Sequence, residues 1–96
     1  MTMVYILNTY DDYGPEDIRA TTDTEAMLRI FDVCAAADLR TAQEAKWLPR
    51  YIDETTMALN RARKKMVDLL AKREVGSNNL MPGWGSYQLH IVELEP

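Results

Sequence analysis

The longest regular pattern of apolar and polar positions lies between residues 50 and 75. Apolar and small side chains recur there at steps of three and four, a spacing that places them on one side of an α-helix. With Arg73 continuing the spacing, these positions are Ile52, Thr55, Leu59, Ala62, Met66 and Leu69. Such a helix would measure roughly 39 Å at 1.5 Å per residue, which is more than a small sheet can cover. We therefore expect another helix, a second copy of the chain or a foreign partner to pack against it.

The apolar side of this helix has two interpretations. It packs inside one chain, against the first helix and the sheet, or it forms the seam of a homodimer. The residues expected in a dimer seam are Ile52, Leu59, Met66 and Leu69.

Three other segments have the composition of β-strands. Residues 3–9, 17–22 and 87–94 are rich in β-branched, aromatic and aliphatic side chains. The first of them is apolar on both faces, which is typical of a central strand. A turn containing Gly14 and Pro15 separates the first two segments, so a hairpin is the simplest connection.

A first helix is expected from about residue 22 to 37. Thr22 and Glu25 have the spacing of a capping box, and Asp23 suits the positive end of the helix dipole. The apolar stripe of this helix is Met27, Ile30, Phe31 and Cys34.

The segment between the two long helical patterns is less regular. Thr41 with Glu44 is a second capping-box candidate, which predicts a short helix through residue 47. Pro49 either kinks one long helix or separates two, and we favour a break there. Gly76 is the natural residue to follow the end of the long helix.

The predicted order is therefore β-β-α-(α)-α-β. We expect one α+β domain over residues 1–96, with a small three-stranded sheet packed against helices. One of those helices is long, at about residues 50–75, and the first and last strands should be neighbours in the sheet.

Composition narrows the class of protein. Apolar residues make up 47% of the chain and charged residues 27%, as in ordinary globular domains. The single cysteine, Cys34, excludes an internal disulfide and fits a reducing compartment. Neither a membrane-spanning run nor a secretion signal is visible, so we expect a cytoplasmic protein without membrane contact.

Charge is distributed unevenly along the chain. Residues 1–38 contain eight acidic side chains against two basic ones, whereas residues 39–75 contain nine basic against five acidic. The two halves either complement each other or give the protein one face that attracts anions. The basic side chains on the outer side of the long helix are Arg61, Lys64, Lys65 and Lys72. The net charge of −4, with Asp68 among these cations, argues against nucleic acid as a partner.

No catalytic or metal-binding constellation is apparent. The acidic cluster at residues 11–17 lacks the spacing of a calcium-binding EF-hand loop, so it is interpreted as a solvated turn and no metal or cofactor is expected. His90, the only histidine, is expected to be a half-exposed strand residue, and Cys34 a buried, unreactive thiol. An enzymatic role for His90 is the least favoured interpretation.

The segment Pro82-Gly83-Trp84-Gly85 precedes the last strand. Trp84 between two glycines is either the end of the core or an anchor for a partner. With Tyr10, Tyr13 and Tyr87 it could also form an aromatic pocket that stacks on a nucleotide.

Two stretches resemble a class of small bacteriophage and prophage proteins. Residues 5–23 contain Y-G-x-E-x-ϕ-x-A-T-x-D, where ϕ is apolar, and residues 83–94 contain G-W-G-x-x-Q-L-H. The resemblance implies a phage accessory role, in a class that includes inhibitors of host defence such as anti-CRISPR proteins. It covers about a third of the chain and supplies no catalytic residues.

We therefore expect a non-enzymatic protein that binds and inhibits or modulates a host or phage protein. The alternatives are a nucleotide-sequestering protein and a structural homodimerisation module. The residues predicted to contact a partner are Arg61, Lys64, Lys65 and Lys72 on the helix, Asp11, Asp12 and Tyr13 at the hairpin, and Trp84.

Overall fold

The computed structural model of the protein describes residues 2–11, 14–81 and 87–94. These residues form an α+β arrangement of an antiparallel sheet and two helices, as the sequence predicts. The elements in chain order are β1 (Thr2–Asp11), β2 (Gly14–Thr21), α1 (Thr24–Glu44), α2 (Pro49–Lys72), β3 (Gly76–Met81) and β4 (Tyr87–Leu94).

The sheet has four strands in the order β2-β1-β4-β3, and every neighbouring pair is antiparallel. The prediction that the first and last strands are neighbours is confirmed, since β1 pairs with β4 from Thr2 opposite Leu94 to Thr9 opposite Tyr87. The prediction of three strands is wrong. Residues 76–81 were expected to be the end of a helix and a loop, but they pair with β4 as its outer neighbour.

The first helix is longer than expected and replaces two predicted helices. Helix α1 continues to Glu44, and the residue that caps its N-terminus is Asp23, whose side chain accepts a hydrogen bond from the Glu25 amide. Thr41 is not a cap, because its hydroxyl donates to the Ala37 carbonyl one turn earlier in the same helix. The predicted break at Pro49 is confirmed, with this proline in the first turn of α2.

Helix α2 ends earlier than Gly76. Arg73 adopts a left-handed conformation, with φ of 55°, and its amide donates to the Leu69 carbonyl. This is the geometry of a helix C-terminus, here formed by a residue other than glycine. Gly76 instead begins β3, which returns alongside the helix.

The core lies between one face of the sheet and the two helices. Odd-numbered residues of β1 and β4 point towards the helices, which is the two-residue period of a β-strand. The buried side chains of this core are Tyr5, Leu7, Tyr87, Leu89 and Ile91 from the sheet, Met27 and Phe31 from α1, and Leu59, Ala62, Met66 and Leu70 from α2, with Leu80 from β3. Helix α1 contacts β1 and β2, while α2 contacts β3, so each helix covers one half of the sheet.

An ion pair on the surface joins the two helices. The Arg63 guanidinium donates to both carboxylate oxygens of Asp32, at 2.8 and 3.2 Å. This hydrogen bonding and the carboxylate charge raise the pKa of Arg63, and Asp17 raises the pKa of Arg19 in the same way. Both arginines therefore keep their charge throughout the neutral range. The flank of α2 that carries Arg63 is the one that faces α1.

Candidate functional site

The face of the sheet opposite the helices is open. Even-numbered residues of β1, β2 and β4 occupy it, because alternate side chains of a strand point to opposite faces. Three of its apolar side chains are exposed: Ile18 by 63%, Leu94 by 53% and Val92 by 38%. Val4 and Ile6 lie half-buried beside them in the central strand. Together these residues form an apolar area on a surface that no part of the described chain covers.

Among the side chains of this face that the structure describes, which do not include those of residues 11–16, none is Asp, Glu, Lys or Arg. We use the name "open face" for the following residues: Thr2, Val4, Ile6, Asn8, Tyr10, Ile18, Ala20, Ser77, Asn79, Gln88, His90, Val92 and Leu94. The outer sides of both helices, in contrast, present many exposed charged side chains.

A hydrogen-bonded network crosses the polar half of the open face. Asn8 Nδ2 lies 3.1 Å from His90 Nε2 and donates to the Tyr10 hydroxyl at 3.3 Å, while His90 Nδ1 lies 2.7 Å from Ser77 Oγ. The network therefore joins three adjacent strands, β1, β4 and β3. His90 is half-buried within it, as the sequence predicts.

Two neutral tautomers of His90 are compatible with this network. With the proton on Nδ1, the imidazole donates to Ser77 Oγ and accepts from the Asn8 amide at Nε2. With the proton on Nε2, it accepts from Ser77 at Nδ1 and donates to Asn8 Oδ1, a buried atom without another partner among the described residues, once the Asn8 amide is turned over. In both tautomers the imidazole is held between β1 and β3.

The predicted basic residues divide between two sides of α2. Arg61, Lys64 and Lys72 are exposed, and Lys65 is exposed with its ammonium donating to the Asn79 carbonyl of β3 at 2.8 Å. Asp68, expected to pair with these lysines, forms no ion pair with them within the described chain. The cations thus lie on the surface, away from the open face.

The residues of the predicted dimer seam lie mostly in the core of a single chain. Met66 is fully buried, Leu59 is 4% exposed, and Leu69 packs half-buried against the same core. Ile52, nearer the start of α2, is half-buried. Packing within one chain therefore accounts for this side of the helix, and a second copy is not needed to cover it.

Several predicted contact residues cannot be placed. Asp12, Tyr13 and Trp84 lie outside the described residues, as does the side chain of Asp11. Their proposed roles at a partner surface therefore stay predictions. In the described part of the chain, no cluster of three metal-ligating side chains occurs.

The prediction that Tyr87 lines an aromatic pocket for a nucleotide is wrong. Tyr87 is 1% exposed, its ring meets Phe31 edge-to-face at 5.3 Å between centroids, and its hydroxyl donates to Asp38. Tyr10 lies on the open face, on the opposite side of the sheet from Tyr87. The two rings therefore cannot stack on one ligand.

Removal of the Tyr87 hydroxyl should destabilise the fold. In Tyr87→Phe the half-buried Asp38 carboxylate loses a hydrogen bond, so we expect the free energy of unfolding to fall by about 1–3 kcal/mol. Urea denaturation followed by circular dichroism measures it. Tyr51→Phe is the matched control, because Tyr51 is 43% exposed. Removing its hydroxyl should change the free energy of unfolding by no more than about 0.5 kcal/mol. Equal effects of the two variants would contradict the structural role of Tyr87.

A second exposed apolar region lies at the turn between the helices. Leu48 is 59% and Tyr51 is 43% exposed, and with Trp47 they line a shallow groove of about 580 Å³. The Arg50 guanidinium lies over the Tyr51 ring, 4.8 Å from its centroid. This groove is charged at its rim by Lys46 and Glu54, unlike the open face.

Comparisons with known proteins give no relative. No protein-family model matches the chain, and neither a curated protein nor a solved structure resembles it significantly. Among the described residues, no helix has the length and apolarity needed to cross a membrane. Function must therefore be argued from the surfaces alone.

Proposed function

We propose that this chain is a non-enzymatic binding protein that attaches to a partner protein through its open face. The observation that carries the proposal is that none of the residues named above for the open face is Asp, Glu, Lys or Arg, with the side chains of residues 11–16 outside the description. The centres of protein interfaces are depleted of charged residues, whereas a solvated sheet face normally alternates with polar and charged ones. Binding would inhibit or modulate the partner by occupying its surface.

The polar half of the open face supplies specificity in this proposal. Ser77, Asn79 and Gln88 surround the imidazole of His90 with uncharged donors and acceptors. A wrong partner would bury polar groups that do not match these donors and acceptors. Those groups would lack hydrogen bonds in the complex, which costs binding energy. Val92 and Leu94 supply apolar area in the other half, and Ile18 adds an exposed apolar side chain beside Asn8.

The absence of enzymatic activity is part of the proposal. The hydrogen bonds of His90 support it, because both imidazole nitrogens are already engaged, one by Asn8 and the other by Ser77.

The class of partner comes from the resemblance of residues 5–23 and 83–94 to small phage and prophage proteins. We propose a phage accessory protein in the host cytoplasm, whose partner is a host protein, such as a component of a defence or CRISPR system, or a phage protein. The open face supports a protein partner and not a particular one.

Site-specific photocrosslinking tests the open face directly. A benzoylphenylalanine at Ile18, in protein expressed in bacterial cells, should give one discrete adduct with a partner. The control position is Val33, which is 65% exposed on α1. The adduct should fall at least tenfold when Leu94→Lys places a charge on the open face, because an unpaired charge buried in an interface costs several kcal/mol.

The matched charge control is Val33→Lys, which should leave the Ile18 adduct unchanged. Thermal unfolding must show that Leu94→Lys keeps its fold. Identical adducts from positions 18 and 33, or an adduct that persists in Leu94→Lys, would refute binding through the open face.

A further inference from the structure

The two edges of the sheet are protected to different degrees. The outer edge strand β2 contains Pro15, its register with β1 is irregular at Thr9 and Tyr10, and an Arg19–Asp17 ion pair runs along it. Proline, bulges and charges are the usual devices that prevent a further strand from pairing with an edge. The opposite edge strand, β3, contains no charged residue and no proline over Gly76–Met81, and its one register irregularity lies near its end, between Asn79 and Met81.

Helix α2 places a row of positive charges beside this less protected edge. The Lys65 ammonium reaches the Asn79 carbonyl of β3 at 2.8 Å, so this flank of the helix faces the edge strand. At 100° per residue, Arg61 and Lys72 fall within about 40° of Lys65, whereas Arg63 lies about 160° away on the flank that faces α1. The row of Arg61, Lys65 and Lys72 therefore runs alongside β3, and all three side chains are exposed.

The spacing of this row suits an extended chain. Arg61 and Lys65 are about 6 Å apart along the helix axis, and Lys65 and Lys72 about 10 Å. Side chains on one face of a strand repeat at about 7 Å. A strand that paired with β3 would present alternate side chains towards the helix at an interval close to that between Arg61 and Lys65, while Lys72 would be reached by the flexible length of its own side chain.

We propose that the edge of β3 and the row of Arg61, Lys65 and Lys72 bind an extended acidic segment of a partner protein as a fifth strand. Main-chain hydrogen bonds to β3 would supply affinity, and alternate carboxylates would pair with the cations. The proposal uses the main chain of β3 and the outer side of α2, not the side chains of the open face, so the inference does not rest on the proposed function.

Charge argues against a second copy as the occupant. Antiparallel pairing of β3 with its own copy would bring two α2 helices side by side on the same face of an extended sheet. Their rows of Arg61, Lys65 and Lys72 would then face each other, and like charges in that position repel. An acidic segment meets the same row with attraction.

The test uses two synthetic ten-residue peptides, one alternating threonine with glutamate and the other alternating threonine with lysine. Nuclear magnetic resonance of the ¹⁵N-labelled chain should show saturable shifts of the amides of Gly76–Met81 with the glutamate peptide only. Lys72→Glu should raise the dissociation constant of the glutamate peptide about fivefold, because it replaces one attractive pair of exposed charges with a repulsive pair. Lys65→Glu should act in the same direction.

Lys64→Glu is the matched control, because residue 64 is adjacent to residue 65 but about 100° away around the helix. It should change the dissociation constant less than twofold. Lys72 forms no hydrogen bond or ion pair with the described residues of β3, so Lys72→Glu keeps the test decisive if Lys65→Glu fails to fold. Absence of shifts in β3, equal shifts with the lysine peptide, equal weakening by Lys64→Glu, or a β3-paired dimer seen by light scattering would each overturn the proposal.

Discussion

Replacing Phe31 by alanine is expected to lower the free energy of unfolding by about 3–5 kcal/mol, the range for deletion of a buried aromatic ring. Phe31 is 1% exposed and packs edge-to-face against Tyr87, so its removal leaves a cavity between α1 and the sheet. Because small domains are stable by only about 5–15 kcal/mol, this single change should remove much of the stability. Urea denaturation monitored by far-ultraviolet circular dichroism measures it.

The control for Phe31→Ala is Val33→Ala, two residues along the same helix. Val33 is 65% exposed, so its truncation removes little packing and should change stability by no more than about 0.5 kcal/mol. A loss of less than 1 kcal/mol in Phe31→Ala would contradict the placement of α1 on the sheet.

Replacing Met66 by alanine is expected to cost about 2–5 kcal/mol, since Met66 is fully buried between α2 and the sheet. The same substitution at Met57, which is 58% exposed on the same helix, should cost less than about 0.5 kcal/mol. The pair thus compares one chemical change at a buried and an exposed position of α2.

The Met66 experiment also separates core packing from a dimer seam. If Met66 packs within one chain, the melting temperature of the wild type and of Met66→Ala should be independent of protein concentration. If α2 formed an interface between copies, both would rise with concentration, because association stabilises the folded state by mass action. A melting temperature that rises across a hundredfold range of protein concentration would therefore support the prediction that α2 forms a dimer seam.

Most of the helical part of the fold could be predicted from the sequence. The spacing of Leu59, Ala62 and Met66 predicted the buried side of α2, and Pro49 predicted the break before it. The error lay in α1, where the Thr41 and Glu44 spacing suggested a new helix. No helix-breaking residue separates residue 37 from residue 44, and the Thr41 hydroxyl is satisfied inside the helix, so the helix simply continues.

The edge strand β3 could not be recognised from its own residues. Its sequence, Gly-Ser-Asn-Asn-Leu-Met, has weak β propensity and resembles a loop. It becomes a strand because its main chain pairs with β4 and because the side chain of Leu80 is buried in the core. Tertiary context therefore decides this element, and pairing is not visible in a local pattern.

The candidate surfaces were predicted only in part. The basic residues of α2 follow from helical spacing, but the role of Lys65 depends on Asn79, which the unpredicted strand brings near. The open face requires the register of four strands, since Asn8 and His90 are 82 residues apart in sequence. The sequence of one strand shows whether its face is apolar. It does not show that the uncharged faces of several strands lie side by side, because this depends on which strands pair and in what register.

The pairing of β1 with β4 also determines when the protein can fold during its synthesis. These two strands form the centre of the sheet, yet one contains the earliest and the other the latest of the described residues. While β4 is still inside the ribosome, the β1–β2 hairpin and the two helices have no complete surface to pack on. Contacts between such distant segments slow folding, so the emerging chain should expose its apolar strands to chaperones until translation reaches β4.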